Sequence, residues 1–317
     1  MKLVVLDAGT LGDDLSLSPL SAFGEVSVYR ETPPELVAVR LSEADIAILN
    51  KVKLCGENLR GAKNLKLICI TATGFDNVDA AYCKSVGIGV VNVVGYSTDS
   101  VAQITLSLVL SLYSHLREYD DYVRFGRYSA GTAHNCLTPV YHELAGKTWG
   151  VVGYGNIGRK VALVANALGC RVVCTHRRPT GNEPDSVLPI EELLRVSDVV
   201  TLHVPLNEGT KNLISRERLA LMKPDAIIVN AARGGVWDET AVAEALLAGK
   251  LGGVGSDVYA VEPMAKDHPF SALAGSDRAI FTPHMAWGAY EARVRCLDDI
   301  CQSIRSFLSG GNRSRIV

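Results

Sequence analysis

Short apolar runs alternate with helix-patterned stretches along most of the chain. Residues 3–6, 26–29, 46–49, 67–70 and 89–92 read as strands, with helical patterns at 34–41 and 80–86 between them. The rhythm resumes at 148, where 148–152, 171–175, 199–202, 226–229, 252–256 and 279–281 are the predicted strands. Alternating strands and helices predict parallel sheets covered on both faces, so the fold class is α/β. Between the two series lies Ser97-Thr-Asp-Ser-Val-Ala-Gln103, followed by an apolar run to Leu116. Ser100 and Gln103 fit an S-x-x-Q capping box, which predicts a long helix opening there. Val101, Ile104, Leu108 and Leu112 form one stripe, while Leu106, Val109, Leu110 and Tyr113 cover other sides. A helix apolar nearly all round is buried on several faces. That suits a crossover between domains that also packs in a subunit interface. The last helix, 289–308, carries Leu297, Ile300, Cys301, Ile304 and Leu308 on one face. It is expected to pack back on the N-terminal domain, so that 1–98 and 288–317 form one discontinuous domain with 99–287 inserted.

Composition narrows the function classes. A chain of 317 residues suits two domains, each able to bury its own core. With 48% hydrophobic residues and a net charge of −2, it has neither a basic nucleic-acid footprint nor an acidic solvating tail. No apolar run has the length of a membrane span, and the opening strand is too short for a signal peptide. Eight cysteines sit singly at 55, 69, 83, 136, 170, 174, 296 and 301, with no C-x-x-C. They read as buried reduced thiols, and the expected location is cytoplasmic.

The stretch Val151-Val-Gly-Tyr-Gly-Asn-Ile-Gly158 changes the picture most. Gly153, Gly155 and Gly158 supply G-x-G-x-x-G after a strand and ahead of a helix pattern, with a second strand at 171–175. The first glycine permits a tight turn, the second lets the backbone approach a pyrophosphate, and the third lets helix pack on strand. The helix N-terminus offers unpaired N–H groups and a partial positive charge to that anion. By itself the spacing is a weak signal, but this context points to a dinucleotide site. The smaller domain lacks the motif and is expected to hold something else.

In a doubly wound sheet ligands bind at the carboxyl ends of the strands. The turns of interest are therefore at His203-Val-Pro205, Ala231-Ala-Arg233, Asp257 and Pro283-His284. A nicotinamide cofactor needs a partner that moves a proton, and a group titrating near neutrality favours histidine. His115, His134, His142 and His268 read as surface or satisfied residues. His284 differs, because it follows Phe281-Thr-Pro283 at a strand end. Glu262 also follows a strand, and a carboxylate bonded to an imidazole would fix its tautomer. Arg233 precedes Gly234-Gly235, and an arginine fork binds a carboxylate and polarises a neighbouring carbonyl.

These stretches stand in the order and spacing of a known family. Gly153-Tyr-Gly-Asn-Ile-Gly158, Asn230-Ala-Ala-Arg-Gly-Gly-Val-Trp-Asp-Glu239, Asp257-Val-Tyr-Ala-Val-Glu-Pro263 and Thr282-Pro-His284 resemble the D-isomer-specific 2-hydroxyacid dehydrogenases. Within that family the glycerate dehydrogenase (hydroxypyruvate reductase) group is the most similar. Asn50-Lys51, Ala72-Thr-Gly-Phe-Asp-Asn-Val-Asp79, Tyr96-Ser-Thr-Asp-Ser-Val-Ala-Gln103 and Pro283-His-Met-Ala-Trp287 carry that likeness.

The resemblance implies two Rossmann-like domains, the dinucleotide-binding one inserted into a discontinuous flavodoxin-like substrate domain. It implies reduction of hydroxypyruvate or glyoxylate to the D-2-hydroxy acid by a homodimer. Arg233 would hold the substrate carboxylate and C2 oxygen, His284 would be the acid/base, and Glu262 would support it. Lys51 and backbone groups at Thr73 and Gly74 would complete the carboxylate clamp. The loop of Gly153, Tyr154, Gly155, Asn156, Ile157 and Gly158 would hold the dinucleotide, flanked by His203, Pro205, Thr210 and Ala231. Asp257 and Ala286 would meet the nicotinamide side. Most relatives end the second strand of the cofactor domain with an aspartate that binds the ribose hydroxyls. Here His176, Arg177 and Arg178 stand there instead, which favours NADP over NAD because guanidiniums pair with a 2′-phosphate. Two other readings share these features: reduction of a bulkier or aromatic 2-keto acid, and a dinucleotide-sensing, co-repressor-like binding protein.

Overall fold

The N-terminal series of apolar runs forms β1 (Lys2–Val5), β2 (Glu25–Val28), β3 (Ile46–Leu49), β4 (Leu67–Ile70) and β5 (Gly89–Val91). In the computed structural model, which describes residues 1–176 and 186–317, they make one parallel sheet in the order β2-β1-β3-β4-β5. This is the flavodoxin-like arrangement. Every residue of β3, β4 and β5 is buried, whereas β2 at the edge buries none. A central parallel strand is covered on both faces and has no solvent side.

Residues Met1–Ser97 and Gly288–Val317 form one compact unit, and Thr98–Trp287 forms a second. In the first, the helix Tyr290–Leu308 packs on β4 and buries Cys296, Leu297, Ile300, Cys301 and Ile304. Leu308, expected on the same face, is exposed at the helix end. The Arg293 guanidinium donates to the Leu11 carbonyl at 2.7 Å and to Asp14 at 2.5 and 2.8 Å, tying this late helix to the turn after β1. The tail beyond 310 pairs with the sheet. The Ile316 N–H donates to the Val90 carbonyl at 2.8 Å, and the Val317 carbonyl accepts from the Val90 N–H at 3.2 Å. The chain end thus covers the free edge of β5, which would otherwise present unpaired backbone groups.

The second unit is built on β6 (Thr148–Val152), β7 (Arg171–Thr175), β8 (Val199–Leu202), β9 (Ile227–Asn230), β10 (Gly253–Ser256) and β11 (Ala279–Phe281). These parallel strands run in the order β11-β10-β9-β8-β6-β7. Val187 adds a parallel bridge to Cys174 outside β7. Counted as a third strand, it gives the 3-2-1-4-5-6 order of dinucleotide-binding sheets, extended by one strand. Reversal falls between β6 and β8, at the glycine motif. One face of the sheet packs Val152, Val200, Leu202, Ile228 and Val254 with Trp237, Leu246 and Phe270. The other packs Trp149, Val151, Val172 and Val229 with Leu108, Val109 and Val161.

The helix Thr98–Tyr113 begins three residues before Val101, the first helical residue the capping box predicts. Ser100 lies inside its first turn and donates its hydroxyl to the Trp287 carbonyl at 3.2 Å. This helix packs on the helix Asn156–Ala167 and on β9 and β10, burying Val101, Ala102, Leu108, Val109 and Leu112. Most of its apolar surface is therefore covered by its own unit. The following residues, 116–143, bury nothing although they include two helices, Leu116–Arg124 and Arg127–Ala130. No helix among the described residues is long and apolar enough to cross a membrane.

Candidate active site

Three consecutive strand ends of the second unit carry the candidate chemistry. After β9, the fully buried Asn230 braces the turn that presents Arg233. Its amide N–H donates to the Arg233 carbonyl at 2.9 Å, and its oxygen accepts the Ala232 N–H at 3.0 Å. Gly234 follows because nothing larger fits: a Cβ there would lie 1.9 Å from the Tyr259 carbonyl carbon. After β10 comes Asp257, and its carboxylate reaches across to the turn after β11. It accepts the Thr282 hydroxyl at 2.6 Å and the Met285 and Ala286 N–H groups at 2.9 Å each. Burial pushes the Asp257 carboxyl above its ordinary range even against those donors and the nearby His284 charge.

The turn so held carries His284 in the left-handed region, at φ 52°. Its Nδ1 lies 2.6 Å from Glu262 Oε2, and the other Glu262 oxygen accepts the Tyr259 N–H at 3.1 Å. A carboxylate on Nδ1 leaves Nε2 as the nitrogen that faces a substrate. The Tyr259 phenol donates to the Thr282 carbonyl at 3.0 Å, and burial, with Asp257, Glu262 and Glu239 nearby, pushes it up to about 12. It stays a neutral phenol near neutrality.

Most of the residues expected to hold a dinucleotide gather at the ends of β6, β7 and β8. Gly153 turns with φ 96°, its N–H donates to the Thr175 carbonyl at 2.9 Å, and a Cβ there would lie 2.6 Å from the His203 carbonyl oxygen. Gly158 abuts the same turn, since its Cβ would stand 2.1 Å from the Gly153 carbonyl oxygen. Gly155 is the reverse case, with no atom of the described residues within 4 Å of an added Cβ. Open space above Gly155, at the N-terminus of a twelve-residue helix with no acid in its first turn, fits a pyrophosphate. His203 supports the fit: among the described residues neither of its buried ring nitrogens has a hydrogen-bond partner, and burial holds the ring neutral, pushed down to about 3. Pro205 and Thr210 close the next loop, where the Thr210 hydroxyl donates to the Pro205 carbonyl at 2.5 Å. Ala231 follows β9 directly, and Ala286 is buried beside the Asp257 carboxylate. The rings of Tyr154 and His176 stand 6.4 Å apart. Arg177 and Arg178 lie outside the described residues.

Lys51, Thr73 and Gly74 belong to the first unit. There the buried Asp7, just beyond β1, accepts the N–H groups of Asn50, Lys51 and Val52 at 2.8, 2.6 and 3.0 Å. Asn77 donates to the carbonyls of Asn50 and Val52 at 3.1 and 2.9 Å, joining the Lys51 turn to the Thr73 loop. Asn92 donates to the Thr73 carbonyl at 2.7 Å. Asp7 and Asn92 belong to no motif in the sequence, and Asn77 stands only within the stretch 72–79. A strand-end acid or amide between apolar runs was the sole signal. The sequence pattern makes His268 a surface or satisfied residue. It is satisfied and buried, 2.9 Å from Glu239.

A Rossmann-type sheet with an arginine and a histidine–carboxylate pair on its strand ends is the equipment of a nicotinamide-dependent oxidoreductase. Residues 106–286 match the family described as D-isomer specific 2-hydroxyacid dehydrogenase, NAD binding domain. A glycerate dehydrogenase of Methylorubrum extorquens is 37% identical over 310 residues, covering 98% of this chain and 96% of its own. The chain belongs to the D-isomer-specific 2-hydroxyacid dehydrogenases. Among solved structures, a D-lactate dehydrogenase from Aquifex aeolicus in complex with NAD and lactic acid superposes with a TM-score of 0.85. It is 30% identical and covers 98% of this chain and 96% of that one. An acyclic imino acid reductase in complex with NADPH and D-Arg has a TM-score of 0.87 at 29% identity, with both chains fully covered.

The glycine geometry separates folding from binding. Gly158→Ala is expected to drive a methyl into the Gly153 carbonyl and lower Tm by roughly 5 °C or more. Gly155→Ala is expected to keep Tm within about 2 °C while weakening dinucleotide binding at least tenfold. Thermal melts with and without dinucleotide check both.

Proposed function

We propose that this dehydrogenase reduces a small 2-keto acid, hydroxypyruvate or glyoxylate, to the D-2-hydroxy acid. The observation that carries the chemistry is the 2.6 Å contact between His284 Nδ1 and Glu262, on a turn fixed by Asp257. The substrate choice draws on the likeness to the glycerate dehydrogenase, whose product on oxidation is hydroxypyruvate. When bound, the reduced nicotinamide supplies the hydride that reaches C2. The Arg233 fork binds the substrate carboxylate and polarises the C2 carbonyl, countering the charge that develops on its oxygen. His284, as imidazolium, donates its Nε2 proton to that oxygen, and Glu262 balances the ring's charge and holds its tautomer. Lys51 and the backbone at Thr73 and Gly74 are the carboxylate contacts we assign to the first unit. On this reading Met1–Ser97 with Gly288–Val317 is the substrate domain and Thr98–Trp287 the dinucleotide domain.

The cofactor reading is NADP in preference to NAD. His176 replaces the carboxylate that would repel a 2′-phosphate, and Arg177 and Arg178 follow it in sequence. The assembly we propose is a homodimer. Residues 116–143 form helices without a core of their own, and Phe125, Leu137 and Val140 are 74, 70 and 68% exposed. A second copy covering that face supplies the missing partner. Cys69, Cys83, Cys170, Cys296 and Cys301 are buried free thiols, as suits work in the reducing cytoplasm.

A matrix of 2-keto acids against NADH and NADPH tests the activity. Turnover of hydroxypyruvate or glyoxylate is expected, and turnover only of bulky aromatic keto acids overturns the substrate reading. Arg233→Lys is expected to lose more than tenfold in kcat/KM, above about 1.4 kcal/mol of transition-state stabilisation, because a point ammonium cannot reproduce the fork. Wild-type kcat/KM is expected to favour NADPH, with the margin shrinking as salt screens the phosphate contacts. His176→Asp with Arg177→Ala is expected to reverse that order. In sedimentation, Phe125→Asp with Val140→Asp is expected to convert a dimer to monomer, and an unchanged sedimentation coefficient removes this face from the interface.

A further inference from the structure

Behind the Glu262–His284 contact lies a second histidine–glutamate pair that the proposed chemistry does not use. His268 Nε2 lies 2.9 Å from Glu239 Oε2, and these side chains are only 7% and 11% exposed. The His268 tautomer is set by its surroundings. Its Nδ1 accepts the Phe270 N–H at 3.1 Å, so that nitrogen carries no proton and Nε2–H donates to Glu239. The remaining Glu239 oxygen accepts the Ala260 N–H at 2.8 Å. The preceding amide, that of Tyr259, donates to Glu262. Consecutive N–H groups of one short segment are thus divided between the buried glutamate and the glutamate on the proton carrier. The same segment backs the arginine, since Gly234 has no room for a Cβ against Tyr259 and Ala260.

We propose that Glu239 and His268 are positioning residues that set the Tyr259–Ala260 peptide and, through it, the orientation of Glu262 on His284. The device requires a carboxylate at 239. Both Glu239 oxygens act as acceptors, one for Ala260 N–H and one for His268 Nε2–H. Glutamine has one acceptor oxygen, and its NH₂ would meet the Nε2–H donor to donor. Relieving that conflict turns the Ala260 peptide and withdraws the Tyr259 N–H from Glu262. Edge-on ring contacts with His268 at 5.8 Å from Tyr259 and 4.9 Å from Phe270 keep the imidazole from turning to compensate. Asp257 and Tyr259 are titratable groups that face these pairs, and the substitutions below touch neither.

This inference rests on the reading of Glu262 and His284 as the proton-transfer pair, and the experiment tests each separately. The pH profile of kcat/KM for keto-acid reduction is measured for wild type, Glu262→Gln, Glu239→Gln, His268→Asn and the double variant Glu239→Gln with Glu262→Gln. Asparagine at 268 retains an oxygen for the Phe270 N–H and leaves Glu239 charged, so it guards against misfolding and against a simple loss of charge. Without a carboxylate on Nδ1 the imidazolium loses its proton at lower pH, so the alkaline limb moves down in Glu262→Gln. The same downward movement, about half a pH unit or more, is expected in Glu239→Gln and His268→Asn, with dinucleotide affinity unchanged and the double variant no worse than Glu262→Gln. A limb that moves in Glu262→Gln but stays at the wild-type position in the two others overturns the positioning role alone. A limb that does not move in Glu262→Gln overturns the proton-transfer reading and this inference together.

Discussion

A buried carboxylate holds the turn on which the candidate chemistry rests. Asp257 leaves the end of β10 and accepts three donors from the turn after β11, two of them the backbone N–H groups of the two residues that follow His284. His284 sits at a positive φ that a non-glycine residue adopts only when its surroundings over-determine it. Charge-assisted hydrogen bonds in a dry setting supply that constraint. Removing the acceptor would leave buried N–H groups unpaired and release the turn. Glu262, Tyr259 and Thr282 then become meaningful, since each is placed relative to a histidine that is itself held still.

The first unit repeats the device. Asp7, at the end of β1, accepts three consecutive N–H groups from the turn after β3, the turn that carries Lys51. In both units an acid from one strand end organises the turn after the adjacent strand, β3 beside β1 and β11 beside β10. Parallel sheets make this economical. All the carboxyl ends lie along one edge, where the turns leave the ladder with N–H groups still unpaired. An acceptor placed there satisfies several donors at once and fixes a loop without a covalent tie.

Close approach does for the cofactor end what carboxylates do for the catalytic end. Gly153 and Gly158 exist because backbone meets backbone, at distances that no Cβ tolerates. Gly155 is governed by what must approach from outside. His203 adds a neutral ring whose buried nitrogens find no partner among the described residues, a cost the fold carries at a place where a ligand would relieve it. Gly234 belongs with the first kind, and it couples the arginine turn to the segment that carries Glu262.

Much of this architecture is legible in the chain itself. Strands of a buried parallel sheet are continuous apolar runs, so β3, β4, β6, β7, β8 and β11 fall on the residues that pattern selects. The glycine motif between strand and helix marks the dinucleotide end, and motif order brings Arg233, Glu262 and His284 forward by family likeness. Periodicity does not reveal the start of the helix Thr98–Tyr113, the tail pairing with β5, or the single bridge at Val187. These depend on a neighbour distant in sequence: Trp287 for Ser100, Val90 for Ile316, Cys174 for Val187. The same holds for Asp7 with Asn50–Val52, Asn77 with the Lys51 turn, and Glu239 with His268 and Ala260. Local propensity and hydrophobic period act over a few residues and are written in the sequence. A hydrogen bond between groups far apart in the sequence exists only once packing has brought them together.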